Sequence, residues 1–146
     1  MKIFSYLFAL LLTFGGAYST QVMAQKPVAG EISKVIDMEG VEMINPEWSP
    51  DGSKLAFTSA SQKGLWVADA NGDNVRQITD DESVGFGYSW SYDSEYLLAR
   101  HSIQEGPRRK HAVKLYSAET GESRQVTDYR SQMPAVPVFS ANQQQV

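Results

Sequence analysis

The chain has 146 residues, no cysteine and a formal net charge of −4 at pH 7. This length allows one domain at most, and the mild acidity argues against a nucleic-acid partner, because such proteins carry a basic surface. Without cysteine the chain has no disulfide and no lipid-modified cysteine, so an ordinary hydrophobic core must stabilise it.

The N-terminus has the layout of a secretory signal peptide. An apolar run over 3–14 follows a single lysine and ends at two glycines, and Val22 and Ala24 place small residues where signal peptidase cleaves. A membrane anchor is the alternative, but this run is shorter than the roughly 20 residues that a spanning helix needs. We expect 1–24 to be a cleaved signal peptide and 25–29 a linker. The mature protein is then expected to be secreted, most simply into a periplasm, without membrane insertion.

A Trp-Ser-x-Asp motif followed by a short apolar run occurs twice. WSPDGSKLAFTS starts at Trp48, and WSYDSEYLLARH starts at Trp90, 42 residues later. In the first copy Pro50 presets φ for a type I turn, Asp51 can bond back to the backbone, and Gly52 accepts the conformation that follows. We interpret the motif residues as structural, with the tryptophans in the core and the carboxylates in the turns: Trp48, Pro50, Asp51, Gly52, Trp90 and Asp93.

Other landmarks repeat with a similar period and predict four strands in each unit. RQITD at Arg76 recurs as RQVTD at Arg124, 48 residues later, and LWVADANG recurs as LYSAETG. A partial earlier copy starts at Gly30, and a faint third copy starts at Phe139. Continuous apolar runs such as LAF and LWVA are typical of strands packed on both faces. The polar RQ strands suit the edge of a sheet.

Four antiparallel strands in 40 to 50 residues is the size of one β-propeller blade. We therefore predict an all-β chain that forms part of a β-propeller over 30–146. The predicted parts are an outer strand at 30–37, a blade at 41–80, a blade at 85–128 and the start of another blade at 133–146. Closed propellers need at least four blades, so we expect a segment of a longer propeller.

The pattern P-x-W-S-P-D-G-x-x-L-A-F, followed by L-W-V-x-D-x-x-G and R-Q-I-T, resembles the TolB-type repeat. These WD-like repeats build six-bladed-type propellers and also occur in prolyl-oligopeptidase-like serine peptidases. The likeness is close over 45–80 and looser in the second copy, where Tyr92 and Ser94 replace the proline and the glycine. The resemblance implies contacts with proteins, peptides or carbohydrates.

The second unit contains an insertion, RHSIQEGPRRKHA at 100–112, which we expect to form a loop with about eight added residues. Arg108, Arg109 and Lys110 make this loop basic, and loops on rigid scaffolds often carry binding sites. We therefore take these three residues as candidate ligands for an anionic molecule or partner. The alternative is a solvated hairpin tip that turns at the Gly-Pro pair.

Two further patterns contain residue types that can bind metal ions. His101 and His111 flank the insertion and would pair if the hairpin closes, but two histidines without a carboxylate are a weak signal. DANGDN at 69–74 resembles the start of a calcium loop, yet Asn74 and Asp80 stand where that loop requires Gly and Glu. Its Asn-Gly pair favours a hairpin turn. No metal and no cofactor are expected.

The sequence contains no Gly-x-Ser-x-Gly nucleophile elbow and no cysteine nucleophile, so no catalytic residue is assigned. The first hypothesis is a secreted, non-catalytic binding or scaffold module for a protein or small ligand. The second is the N-terminal part of the substrate-screening propeller of a prolyl-oligopeptidase-like serine peptidase, whose catalytic domain is absent from this chain. A third, a carbohydrate-active site completed by other blades, stays open.

Overall fold

Two antiparallel sheets of four strands each make up the fold. The computed structural model describes residues 35–132 and 135–140, which lie within one compact unit of 33–146. The strands are β1 (Met43–Trp48), β2 (Lys54–Ser59), β3 (Leu65–Asp69), β4 (Arg76–Thr79), β5 (Tyr88–Trp90), β6 (Tyr96–Glu105), β7 (Arg108–Ser117) and β8 (Ser123–Gln125). A short 3-10 helix, Val84–Phe86, lies between the sheets in sequence. None of the helices in the described ranges has the length and apolarity to span a bilayer.

Each sheet is an up-and-down meander in which consecutive strands pair. The orders are β1-β2-β3-β4 in the first sheet, called blade 1, and β5-β6-β7-β8 in the second, called blade 2. All pairs are antiparallel. The prediction of an all-β, partial β-propeller with two four-stranded blades is confirmed.

The burial of the strands follows their place in the sheet. In β2, four consecutive residues from Leu55 to Thr58 are buried, and β3 and β6 also have runs of buried residues. Such strands pack on both faces, so their apolar residues need not alternate. The last strand, β8, is exposed at every position, and polar edge strands discourage pairing with other chains.

The main hydrophobic core lies between the two blades. It combines side chains from β2, β3 and β4 of blade 1 with side chains from β5, β6 and β7 of blade 2. Its members are Ala56, Leu65, Val67, Ile78, Val84, Tyr88, Trp90, Leu97, Ala99, Tyr116 and Ala118. Neither sheet could bury this face alone, as is usual in repeat folds.

The Trp-Ser-x-Asp motif forms the same turn in both blades. The amide of Gly52 donates to the carbonyl of Ser49 at 2.9 Å, and the amide of Ser94 donates to the carbonyl of Ser91 at 3.0 Å. Gly52 has a φ of 71°, and Ser94 takes the same left-handed conformation with a φ of 63°. The looser second motif therefore keeps its turn, although a residue with a Cβ replaces the glycine.

Both motif carboxylates build these turns, as predicted. Asp51 accepts from the hydroxyl of Ser49 at 2.7 Å and from the amide of Ser53 at 3.0 Å. Asp93 accepts from the hydroxyl of Ser91 at 2.5 Å and from the amide of Glu95 at 3.1 Å. These bonds hold the pKa of Asp51 well below its usual range, the bond from Ser49 contributing most.

The serine of the motif is a further structural residue, beyond those predicted from the sequence. Ser49 is buried, its hydroxyl accepts from the amide of Lys54 at 2.9 Å and it donates to Asp51. Ser91 repeats this arrangement, accepting from the amide of Tyr96 at 2.9 Å. The recurrence of serine directly after each tryptophan was the signal that could have identified it.

The two motif tryptophans have the same place in their blades but different surroundings. Trp48 pairs with Leu55, and Trp90 pairs with Leu97, so the register is the same. Trp90 is 9% exposed, whereas Trp48 is 52% exposed. The prediction that both lie in the core is wrong for Trp48, because its face of blade 1 is the one turned away from blade 2.

The ends of the described region carry no strand. The predicted outer strand falls at 30–34 outside the described residues, and its remainder at 35–37 is irregular. The backbone at Val35 nevertheless has the same neighbour as the backbone at Ile78, namely the glycine of a turn. A Cβ on Gly72 would lie 1.9 Å from the carbonyl oxygen of Val35, and a Cβ on Gly121 would lie 2.6 Å from the carbonyl oxygen of Ile78. Val35 thus lies against blade 1 as β4 lies against blade 2.

The predicted start of another blade is described only in part. Residues 133–134 and 141–146 lie outside the described residues, and 135–140 have no regular structure. This segment lies beside β5, where the hydroxyl of Ser89 donates to the carbonyl of Pro137 at 3.0 Å. The assignment of a strand here stays a prediction.

Candidate functional site

The inserted stretch in blade 2 is part of a long hairpin, so the prediction of a loop is wrong. Strands β6 and β7 have ten residues each, against six in β2 and five in β3. They pair without interruption from Tyr96 with Ser117 to Glu105 with Arg108. The added residues lengthen the two strands, because 100–105 pair with 108–113 across the hairpin. The chain turns at Gly106, which has a φ of 57°.

The pleat of β7 separates the three candidate basic residues. Side chains alternate along a strand, and directly opposed residues share a face. Arg108 and Lys110 therefore lie on one face with their partners Glu105 and Ile103, whereas Arg109 lies on the other. Lys110 forms an ion pair with Glu105, so the sequence cluster is not one site in space.

A polar cluster around Asp81 connects the hairpin to the preceding blade. The carboxylate of Asp81 accepts from Nζ of Lys114 at 2.8 Å and from the hydroxyl of Tyr116 at 2.7 Å. Nδ1 of His101 lies 3.5 Å from the same oxygen. Asp81 is not among the predicted site residues, and the repeat does not mark it, because the matching position in the second repeat is Tyr129.

The charges of this cluster follow from its burial and its contacts. Burial opposes ionisation of Asp81, but the bonds from Lys114 and Tyr116 outweigh it and hold its pKa below the usual value of 3.8. Burial and the bond to Asp81 strongly raise the pKa of Tyr116. The pKa of His101 is lowered, mainly by burial and against the attraction of Asp81. At neutral pH His101 is therefore uncharged, and its proximity to Asp81 is not an ion pair.

Backbone bonds fix the base of the hairpin against the segment between the blades. The amide of Ser102 donates to the carbonyl of Glu82 at 3.0 Å, and the amide of Gly64 donates to the carbonyl of Asp81 at 3.0 Å. The guanidinium of Arg100 lies over the ring of Phe86 at 4.8 Å, a favourable cation–π distance. The hairpin is thus a rigid element that projects from one end of the blades.

The two histidines do not pair, contrary to the possibility that the sequence left open. His101 is opposite Ala112, and His111 is opposite Ser102, so the two rings lie on opposite faces. The described ranges hold no group of three or more His, Cys, Asp or Glu side chains arranged for a metal ion. These histidines therefore act as separate groups.

The stretch at 69–74 forms the predicted turn. The amide of Gly72 donates to the carbonyl of Asp69 at 2.8 Å. The side-chain amide of Asn71 donates to the carboxylate of Asp73 at 2.8 Å, and the side-chain amide of Asn74 donates to the carboxylate of Asp69 at 2.6 Å. The connection between β3 and β4 spans 70–75 and is longer than a two-residue hairpin turn. Its oxygen side chains bond within the turn.

Comparison with solved structures finds chains with a similar fold. The acylaminoacyl peptidase of Pyrococcus horikoshii is 22% identical with a TM-score of 0.51, over 60% of this chain and 18% of that one. TolB from Acinetobacter baumannii is 19% identical with a TM-score of 0.48, over 60% of this chain and 22% of that one. At this identity the first match shows the fold alone.

Sequence comparison gives the family. A curated relative, the "Uncharacterized peptidase YuxL" of Bacillus subtilis (strain 168), is 37% identical in an alignment of 68 residues that covers 42% of this chain and 10% of that protein. This chain thus spans about a tenth of the length of that relative. Residues 16–107 match the family described as "Dipeptidyl peptidase IV (DPP IV) N-terminal region". Because this match covers more than half of the chain, the protein belongs to the dipeptidyl peptidase IV N-terminal region family.

Proposed function

We propose that this chain supplies blades of a β-propeller that accompanies a serine peptidase catalytic domain and takes part in admitting peptide substrates. The family match over residues 16–107 carries the proposal. A curated relative named as a peptidase supports it. In this role the chain itself performs no bond cleavage, and its contribution is to bind and orient.

The geometry favours the hairpin β6–β7 as the element that performs this role. It extends its blade by about four residues on each strand relative to β2, which is roughly 13 Å at the rise of a β-strand. Its base is held by Asp81 and by the backbone of Glu82. A rigid projection with charged side chains is suited to contact a peptide or a neighbouring domain.

The experiment is to isolate the protein from its native cells with an antibody to residues 35–132 and to treat it with a fluorophosphonate. This reagent labels an activated serine nucleophile. We expect a labelled polypeptide much longer than 146 residues, whose gene continues from these blades to a Gly-x-Ser-x-Gly motif and a later His. A single unlabelled product of the size of this chain would instead support a binding or scaffold module without a peptidase.

We also propose that the protein is exported to the periplasm after removal of residues 1–24. The short apolar run and the small residues Val22 and Ala24 support this proposal. N-terminal sequencing of the protein from separated cell fractions should give Gln25 as the first residue in the periplasmic fraction. An intact Met1 in the cytoplasmic or membrane fraction would contradict export.

We further propose that the repeats are of the TolB type and belong to a six-bladed-type ring. The bonds shared by the two turns, around Ser49 and Asp51 and around Ser91 and Asp93, support this proposal. A crystal structure of the parent chain should show the same Ser–Asp turn in most of six blades. A ring whose other blades lack this turn would contradict the assignment.

A further inference from the structure

One face of the β6–β7 hairpin gathers positive charge from three separate parts of the sequence. The face opposite to that of Lys110 carries Arg109 and His111 from β7 and Arg100 from β6. Arg130 joins it, because its backbone forms a bridge with His111. We call these four residues, Arg100, Arg109, His111 and Arg130, the basic face.

His111 lies at the centre of the basic face. Its Nδ1 is 2.7 Å from the hydroxyl of Ser102 on β6. On its other side, His111 and Arg130 exchange two backbone bonds of 2.8 Å each, so the side chains of this pair are neighbours on the same face. Arg109 lies two positions before His111 on the same strand and on the same side of the pleat. The buried Ser102 thereby fixes the orientation of the imidazole among arginines.

The charges on this face affect one another. Burial lowers the pKa of His111, and the positive charges of Arg100 and Arg109 lower it further. None of the groups that shift the pKa of His111 is a carboxylate. Asp128 is the acidic residue closest in sequence to Arg130, and no ion pair forms between them.

Four other basic residues in the described ranges have countercharges, which the arginines of the basic face lack. Within 35–132 and 135–140, Lys63 pairs with Glu82, Arg76 with Glu119, Lys110 with Glu105 and Lys114 with Asp81. The three arginines of the basic face form no ion pair in the same ranges. Both Arg109 and Arg130 are exposed, so their planar donor groups are accessible to a ligand.

We propose that the basic face binds an oxyanion, either the carboxylate of a peptide or a phosphate group, between Arg109 and Arg130 beside His111. Guanidinium groups bind such anions through two parallel hydrogen bonds, which adds geometric selectivity to the charge. The site lies on a paired β-ladder, so the backbone positions that carry its donors are fixed before binding. This binding does not depend on a catalytic domain elsewhere in the parent chain.

The test uses the two histidines of the chain as reporters. The ring resonances of His101 and His111 are followed by NMR while the full chain is titrated with three probes. The first is a short peptide with uncharged side chains and a free C-terminal carboxylate. The second is the same peptide with its C-terminus amidated, and the third is inorganic phosphate. The carboxylate peptide or phosphate should shift the His111 resonances, leave those of His101 unchanged and saturate. The amide should not bind, and the probe that binds more tightly identifies the source of the anion.

The chain offers a closely matched pair of variants. Arg109→Gln and Arg108→Gln remove the same charge from adjacent exposed positions of β7, but only Arg109 belongs to the basic face. We expect Arg109→Gln and Arg130→Gln each to weaken anion binding by about tenfold, the effect of losing a charged hydrogen bond. Arg108→Gln should change it less than about twofold.

Two results would overturn the proposal. One is a titration in which neither anion moves the His111 resonances. The other is an equal loss of binding in Arg108→Gln and Arg109→Gln, which would mean that the anion responds to net charge alone. Unchanged His101 resonances in each variant establish that the hairpin is still folded. Neither result bears on fluorophosphonate labelling of the parent protein, so the two proposals fail separately.

Discussion

The indole Nε1 of Trp90 donates a hydrogen bond to the backbone carbonyl of Glu47, 3.0 Å away on the first strand of the other blade. The same junction contains a bond from the side-chain amide of Asn45 to the carbonyl of Gly85 at 3.1 Å, and one from the hydroxyl of Tyr88 to the carbonyl of Asn45. The first strand of blade 1 thus supplies acceptors for the aromatic residues of blade 2. Trp48 has the position of Trp90 within its own blade and is exposed instead.

Truncation of the two tryptophans should therefore have very different effects. Trp90→Ala opens the core between the blades and leaves the carbonyl of Glu47 without its donor, so we expect a loss of about 3–5 kcal/mol in the free energy of unfolding. Trp48→Ala should cost less than about 1 kcal/mol. Urea denaturation followed by circular dichroism measures both. Similar losses in the two variants would show that the junction does not dominate stability.

The glycine of the first turn provides a test of backbone strain. Gly52 has a φ of 71°, and a Cβ added there would meet no atom within 4 Å. Gly52→Ala should thus cost about 1–2 kcal/mol through the left-handed conformation alone. Gly52→Asn should cost less, because asparagine tolerates this conformation. Equal losses for alanine and asparagine in thermal unfolding would argue that the turn changes its geometry.

Removal of the Asp81 carboxylate should weaken the attachment of the hairpin. Asp81→Asn leaves the partly buried Lys114 without its counter-ion and weakens the bond from Tyr116. We expect a loss of about 1.5–3 kcal/mol at pH 7. The exposed neighbour Asp80, changed to Asn, is the control and should have little effect.

The effect of Asp81→Asn on stability should also depend on pH in the acidic range. The folded-state pKa of Asp81 is below its ordinary value of 3.8, so its stabilisation is fully present above pH 3.8 and is lost as the pH falls through the folded-state pKa. The difference in unfolding free energy between the wild type and Asp81→Asn should shrink in that window. A difference that stays constant from pH 7 to pH 3 would exclude this linkage.

The two histidines should make the stability depend on pH in the range just below 6.5. Burial lowers the pKa of both His101 and His111 from 6.5 in the folded state. The unfolded chain therefore binds protons more readily just below pH 6.5, and stability should fall as the pH decreases from 6.5 towards the folded-state pKa values.

For His101, the groups that face the ring are Asp81, Glu82, Lys114 and Tyr129. His101→Gln should reduce the slope of unfolding free energy against pH between 6.5 and 5.5 by up to about 1.4 kcal/mol per unit. His111→Gln is the parallel measurement, and the double variant should lack the histidine contribution. A wild type whose stability rises on acidification through this range would contradict the prediction.

The sequence by itself was sufficient for the two four-stranded blades, for the Trp-Ser-x-Asp turns and for the fold class, but it did not predict the length of β6 and β7. The turn at Ser49–Gly52 depends on residues adjacent in the chain, and its copy at Ser91–Ser94 forms the same bonds. The apolar runs of β2 and β6 follow from burial on both faces, which a local pattern records. The 42-residue period between the tryptophans then implies repeated blades, because a fixed period means stacked units.

Only the tertiary structure decided which charges act together. Arg108 and Arg109 are neighbours in sequence, but the pleat places them on opposite faces, and Arg130 joins the face of Arg109 through its bridge with His111. Asp81 meets Lys114 and Tyr116 from 33 and 35 residues away. Register and packing between blades are long-range properties, so no short pattern in the sequence contains them. For the same reason the exposure of Trp48 depends on what lies against its blade, and its repeat position does not determine it.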